Sequence, residues 1–216
     1  VAHGGRIYDK WWKEIGASEP AADQPLWTLQ ATNARSGADT WRCKECHGWD
    51  YKGKGGAYSS GSHFTGFTGV LEAAATMNRE QLIDVMKGAT DFRHDFTEVL
   101  GDEHIGHVVD FLQFGLINTA PHVDYTAAGM PLIGADADHG KPHFETVCAL
   151  CHGSDGRQIL IDGTLGVGDV ARDEPTVEII HKIRSGQPGT AMPSAVVNGW
   201  SIQHVIDVLA YIKTLP

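Results

Sequence analysis

The chain has no long hydrophobic run. Nowhere in its 216 residues does an uninterrupted apolar stretch approach the roughly 18 residues of a bilayer-crossing helix, so a soluble protein is expected. Aliphatic side chains are also in short supply. Leu, Ile, Val and Phe number 49, about 23% of the chain, close to the ~20% below which highly charged sequences stay unfolded. Something besides aliphatic side chains is therefore expected to fill the interior. Basic residues are few and scattered, 17 Lys and Arg against 27 Asp and Glu for a net charge of -10. That leaves no electrostatic footprint for a phosphate backbone and argues against nucleic acid as a partner. The sequence opens at Val1 with no basic and apolar leader, the expectation for a processed mature chain.

Cysteine is rare as well, and the few present are not scattered. All 4 fall in two pentapeptides, Cys43-Lys44-Glu45-Cys46-His47 and Cys148-Ala149-Leu150-Cys151-His152. Two thiols three positions apart can each bond one vinyl group of a haem while the adjacent His reaches its iron, which is the reading of CxxCH. Other readings fit less well. A redox CxxC has no use for the following His. A zinc site pairs CxxC with a second ligand pair at closer range than the 105 positions between these motifs. Disulfide frameworks belong to shorter chains with dispersed cysteines.

A true repeat carries its other landmarks at similar offsets. Gly48 and Asp50 recur as Gly153 and Asp155 at the same shift of 105. Short helices are expected over Asn78 to Lys87 and Thr176 to Arg184, where Leu82, Ile83 and Met86 match Ile179, Ile180 and Ile183 at a shift of 97. Ile105, Val108, Val109 and Leu112 follow i, i+3, i+4, i+7, as do Ile202, Val205, Ile206 and Leu209. Both sets predict an amphipathic helix packing on its own domain. The segment before Trp41 shows no counterpart in the second half.

With these landmarks the chain resembles tandem class I c-type cytochromes, over both halves. The resemblance implies an all-α fold of two tandem cytochrome c-like domains, each a few helices wrapped around a covalently bound haem. The expected parts are residues 1–115 with a Trp-rich N-terminal extension, a linker over 116–135, and a second domain over 136–216. It implies two covalently attached haem c groups, held by Cys43 and Cys46 with His47 as proximal ligand, and by Cys148 and Cys151 with His152.

In the second half the family's axial loop holds Met192, within Gly189-Thr190-Ala191-Met192-Pro193, and a thioether is a known sixth ligand. The first half has no Met in that loop. Aligning Gly88 with Gly186 sets His94 opposite Met192, so His94 is the candidate sixth ligand there, with His63 and Met77 as alternatives. These assignments imply a bis-His iron in the first domain and a His/Met iron in the second. Thioether favours ferrous iron, so the second centre should have the higher potential.

The remaining features carry less. Trp11, Trp12, Trp27, Trp41 and Trp49 are expected to pack around the first haem and its domain. Arg42, Lys44, Lys52 and Lys54 read as solvated lysines and arginine near the first motif. His107 and His204 share one helix position, although the second centre already has Met192, and so are poor iron ligands. His3, His104, His122, His139, His143 and His181 read as surface or structural. The function implied is an electron carrier rather than an enzyme, passing single electrons between redox protein partners, whether alone or as the cytochrome subunit of a dehydrogenase or reductase. The competing class is a dihaem enzyme, thiosulfate dehydrogenase-like or peroxidase-like, acting at a labile first haem. Attachment to CxxCH takes place outside the bacterial cytoplasm in this family, which implies a periplasmic location.

Overall fold

A computed structural model describes every residue from Val1 to Pro216. The fold is all-helical, with a few isolated β-bridges and no strands. The chain forms two compact units, Val1–Asn118 with Ser185–Met192, and Thr119–Arg184 with Pro193–Pro216.

In the first unit, α1 (Ala2–Glu14) bends at Lys10 and packs on α5 (Thr97–Phe114). The predicted stripe on α5 is the buried one: Ile105, Val108, Val109 and Leu112 all face the core, with Phe111 added. Against it α1 buries Ile7, Tyr8, Trp11 and Trp12. The two helices touch at Gly4, where a Cβ would meet the His107 carbonyl oxygen at 1.9 Å. The helix predicted from Ile105 extends back to Thr97, interrupted by Gly101 at φ 65°, a conformation glycine adopts without steric cost. Between them lie α2 (Cys43–His47), α3 (Leu71–Thr76) and α4 (Arg79–Met86). A capping box starts α4: Gln81 N–H donates to Asn78 Oδ1 at 3.0 Å, and Asn78 N–H to Gln81 Oε1 at 2.9 Å. The Ser185–Met192 segment is tied in by Arg6 Nη1 donating to Ser185 O (3.0 Å) and Gly189 N–H donating to Glu14 Oε2 (3.0 Å).

In the second unit, α6 (Ala137–His143) runs into a π-turn over Phe144–Cys148 and then α7 (Ala149–His152). Pro142, which lacks a backbone N–H, lies two residues before this irregular turn. Asp136 caps α6, accepting from Asp138 N–H (2.9 Å) and His139 N–H (3.1 Å). α8 (Val167–Asp173) and α9 (Thr176–Ser185) follow, and α10 (Ile202–Ile212) packs on α6. Val205, Ile206, Val208 and Leu209 are fully buried. The crossing again needs a glycine, since a Cβ on Gly140 would lie 2.0 Å from the Asp207 carbonyl oxygen.

The two crossings correct one reading of the sequence. Part of the segment before Trp41 does have a counterpart: Gly4 and Tyr8 stand in α1 as Gly140 and Phe144 stand at α6, each glycine against the last helix and each ring buried four residues later. With only a Gly and an aromatic ring shared, the spacing was too sparse to register as a repeat. What the second unit lacks is a stretch like residues 15–42, because its first helix leads straight into the attachment motif.

Candidate haem centres

Each CxxCH runs into a short helical turn that ends in the same way. Gly48 (φ 78°, ψ 158°) and Gly153 (φ 77°, ψ 164°) take the same left-handed exit, which glycine tolerates best. Gly53 N–H donates to the His47 carbonyl and Gln158 N–H to that of His152, both at 2.8 Å. Asp50 and Asp155 each accept a backbone N–H two residues on, from Lys52 (3.3 Å) and Arg157 (3.0 Å). The landmark residues of the repeat therefore build one local structure twice.

At the first motif, Cys43, Cys46 and His47 line a cavity of about 330 Å³, within the range of cofactor pockets. Its walls include Trp41, Phe67, Leu82, Met86, Phe96 and Leu112. Gln24 and Leu26, from the stretch without a counterpart, help to close it. His94 projects into the same cavity, and its ring centroid lies 6.2 Å from that of His47 with the planes at 79°. Each ring is anchored through Nδ1, His47 to the Thr68 carbonyl at 2.7 Å and His94 to the Val85 carbonyl at 3.0 Å. Donation there puts the proton on Nδ1 and leaves Nε2 with its lone pair. Burial first, and the facing His94 second, push His47 down to about 4 against the pull of the Thr68 carbonyl, so it is neutral at physiological pH.

Of the alternatives to His94, Met77 lies in the cavity wall and His63 is engaged elsewhere. The His63 ring stacks on Tyr58 at 4.6 Å, and its Nδ1 lies 3.7 Å from Glu45 Oε2. Glu45 is wholly buried between the two cysteines and also pairs with Lys44 and with Arg35 (3.3 Å). Burial alone would raise its carboxyl, but His63, Lys44 and Arg35 outweigh that and hold it at about 2.

The second motif is more open. Cys148 is half-buried, Cys151 is exposed, and Leu150 between them is 76% exposed. Burial lowers the pKa of His152, whose Nδ1 is buried without a hydrogen-bond partner. Met192 is half-buried, its N–H donating to Thr190 Oγ1 at 3.2 Å in the segment that packs with the first unit.

Residues 135–212 match the family model described as cytochrome c oxidase, cbb3-type, subunit III. A cytochrome c-553-like protein of Synechocystis sp. (strain ATCC 27184 / PCC 6803 / Kazusa) is 35% identical over 104 residues, covering 47% of this chain and 87% of that protein. The chain belongs to the cytochrome c family.

As a cytochrome c it belongs among proteins that carry electrons on covalently bound haem. His47 and His94 line one cavity with Cys43 and Cys46, their ring centroids 6.2 Å apart and each Nδ1 bonded to a backbone carbonyl, so these residues could hold a haem and its iron. The residues fit the group. A thiol-redox role does not fit, because reactive thiols have lowered pKa values. Here burial pushes Cys43 up to about 12 and Cys148 up to about 11, and raises Cys46 as well. The wall residues and the Thr68 and Val85 carbonyls that orient the imidazoles had no signal in the sequence. Backbone acceptors leave no residue-type signature, and the walls are assembled from separate segments.

Proposed function

We propose that this cytochrome is a periplasmic two-haem electron carrier that exchanges single electrons with redox protein partners. Cys43 and Cys46 would hold one haem, with His47 and His94 as iron ligands. Cys148 and Cys151 would hold the other, with His152 and Met192. The observation that carries the reading is the pair of facing imidazoles, His47 and His94, each turned by a backbone carbonyl so that Nε2 is free for iron. For the second centre the support is the family match, whose span of 135–212 contains Cys148, Cys151, His152 and Met192.

Haem supplies a one-electron couple at its iron, and the chain's own residues do the rest. His47 and His94 keep their Nδ1 protons on fixed carbonyls, so neither ring needs to turn or exchange a proton when the charge changes. The apolar wall of Phe67, Leu82, Phe96 and Leu112 excludes water and so limits reorganisation. The matched family is named for a subunit of a cytochrome c oxidase, which suits a chain that delivers electrons within or to a larger redox complex.

Haem content and spectra test the reading. Two haems per chain are expected, with an entirely low-spin ferric form that shows one bis-imidazole EPR signal and one Met-to-iron charge-transfer band. His94→Ala should convert about half of the iron to high-spin and let it bind CO. An unchanged spectrum in that variant would remove His94 as ligand. Rapid CO or cyanide binding at the first centre of the unaltered protein would instead support the dihaem enzyme.

A further inference from the structure

Three histidines of the second unit, none of them in a haem motif, form a cluster of their own. His139 and His143 are four residues apart on α6 and so share a face. His204 comes from the first turn of α10. One ligand nitrogen from each lies within 4.8 Å of the other two. The His143 and His204 ring centroids are 4.7 Å apart, and those of His139 and His204 are 5.7 Å apart and nearly parallel.

The surroundings of the cluster favour an ion over a packing role. His139 Nδ1 lies 2.6 Å from Asp207 Oδ2, a carboxylate that is 1% exposed. The other oxygen, Oδ1, accepts from Asp136 N–H and from Gln203 Nε2, both at 2.8 Å. A carboxylate held this firmly keeps the His139 proton on Nδ1 and directs Nε2 outward, the arrangement that orients metal-bound histidines. His204 Nδ1 accepts the Ser201 N–H at 3.3 Å and lies 3.1 Å from Ser201 Oγ, contacts that hold its ring in place at the start of α10. His143 rests against the Trp200 ring at 5.3 Å. His139 is exposed while His143 and His204 are half-buried, so an ion can reach all three. Small χ rotations bring such nitrogens to the ~2.0–2.1 Å bonds of a three-histidine site.

We propose that His139, His143 and His204 bind one borderline divalent transition-metal ion, of the class of Zn²⁺, Ni²⁺ or Cu²⁺, with Asp207 as the positioning carboxylate. Imidazole donors select this class over Mg²⁺ and Ca²⁺, which take oxygen ligands. The ion would join α6 to α10 beside the Gly140 crossing and so clamp the second unit shut. The site is separate from both haem assignments and stands whether or not they do.

Titration of the haem-loaded protein with Zn²⁺ alone should give one ion per chain and a rise in Tm. Cu²⁺ in its place should show EPR superhyperfine splitting from several nitrogens. His143→Ala and His204→Ala should each weaken binding at least tenfold with the haem spectrum unchanged. Asp207→Asn should weaken it about tenfold and shift the Cu²⁺ hyperfine splitting. His107→Gln serves as a control for the other histidine group, where His3 and His107 centroids are 4.8 Å apart, and should bind as the unaltered protein does. Absence of Zn²⁺ binding, a Cu²⁺ signal without nitrogen coupling, or His143→Ala binding at unchanged affinity would each overturn the proposal. The Cu²⁺ readout needs no variant, so a substitution that fails to fold does not protect the idea.

Discussion

Glu45 and Leu150 hold the same place in the two attachment motifs, and their environments are the reverse of what their chemistry would suggest. The carboxylate is wholly buried and the leucine is 76% exposed. The difference traces to residues 15–42, which only the first unit possesses. That stretch brings Arg35 to Glu45 and sets Gln24 and Leu26 over the cavity. The second unit runs from its first helix directly into its motif and leaves that edge open. One local backbone design thus has two settings, a walled motif and an exposed one.

The comparison can be broken most decisively at the thiols. Cys43→Ala with Cys46→Ala should cost one haem per chain by pyridine haemochrome assay, and Cys148→Ala with Cys151→Ala the other. If either pair leaves the count unchanged, the two units are not equivalent haem domains. A spectroelectrochemical titration is the next test. The centre with the Met-to-iron band should reduce first, because thioether favours ferrous iron, and early reduction of the bis-imidazole signal would reverse the assignment.

Glu45 gives a sharper contrast in stability. Replacing it with the second unit's residue, Glu45→Leu, removes one partner from a buried ion cluster and should cost about 3 kcal/mol at neutral pH. Its pKa lies at about 2, below the ordinary 4.5, so the carboxylate contributes fully above about pH 4.5. The contribution is lost as the pH falls through about 2. Melting curves of Glu45→Gln should accordingly vary less with pH between 5 and 2 than those of the unaltered chain. Gly4→Ala and Gly140→Ala come next, each adding a Cβ where a carbonyl oxygen stands 1.9 or 2.0 Å away. Each should cost about 1–3 kcal/mol in chemical denaturation, and unequal losses would show that one crossing tolerates more shift. The smallest effect is expected at the exposed pair of Arg79 and Asp110, 3.2 Å apart. There Asp110→Asn should change stability by less than about 1 kcal/mol.

The sequence carried the helices and motifs well and the walls poorly. Apolar spacing on α5 and α10 marked the buried faces correctly because a helix packed on one side repeats every three to four residues. CxxCH was legible because covalent attachment demands fixed spacing. His94 could be singled out only by lining up two loops, and its partner carbonyl at Val85 had no signal at all. His139 and His143 read as surface or structural residues and His204 as a poor iron ligand, because their proximity depends on the crossing of α6 and α10. That crossing is marked in the sequence by little more than Gly140.

The clasp of α1 on α5 also joins segments that are far apart along the chain. Its two halves lie about a hundred residues apart, and such distant pairings form late, after the loop between them has been closed. Ile7, Tyr8, Trp11 and Trp12 are buried where α1 packs on α5, so this core depends on a contact that closes almost the whole first unit. The long separation of the two helices thus makes the first unit's core a product of non-local contact, the kind that slows folding more than it lowers stability.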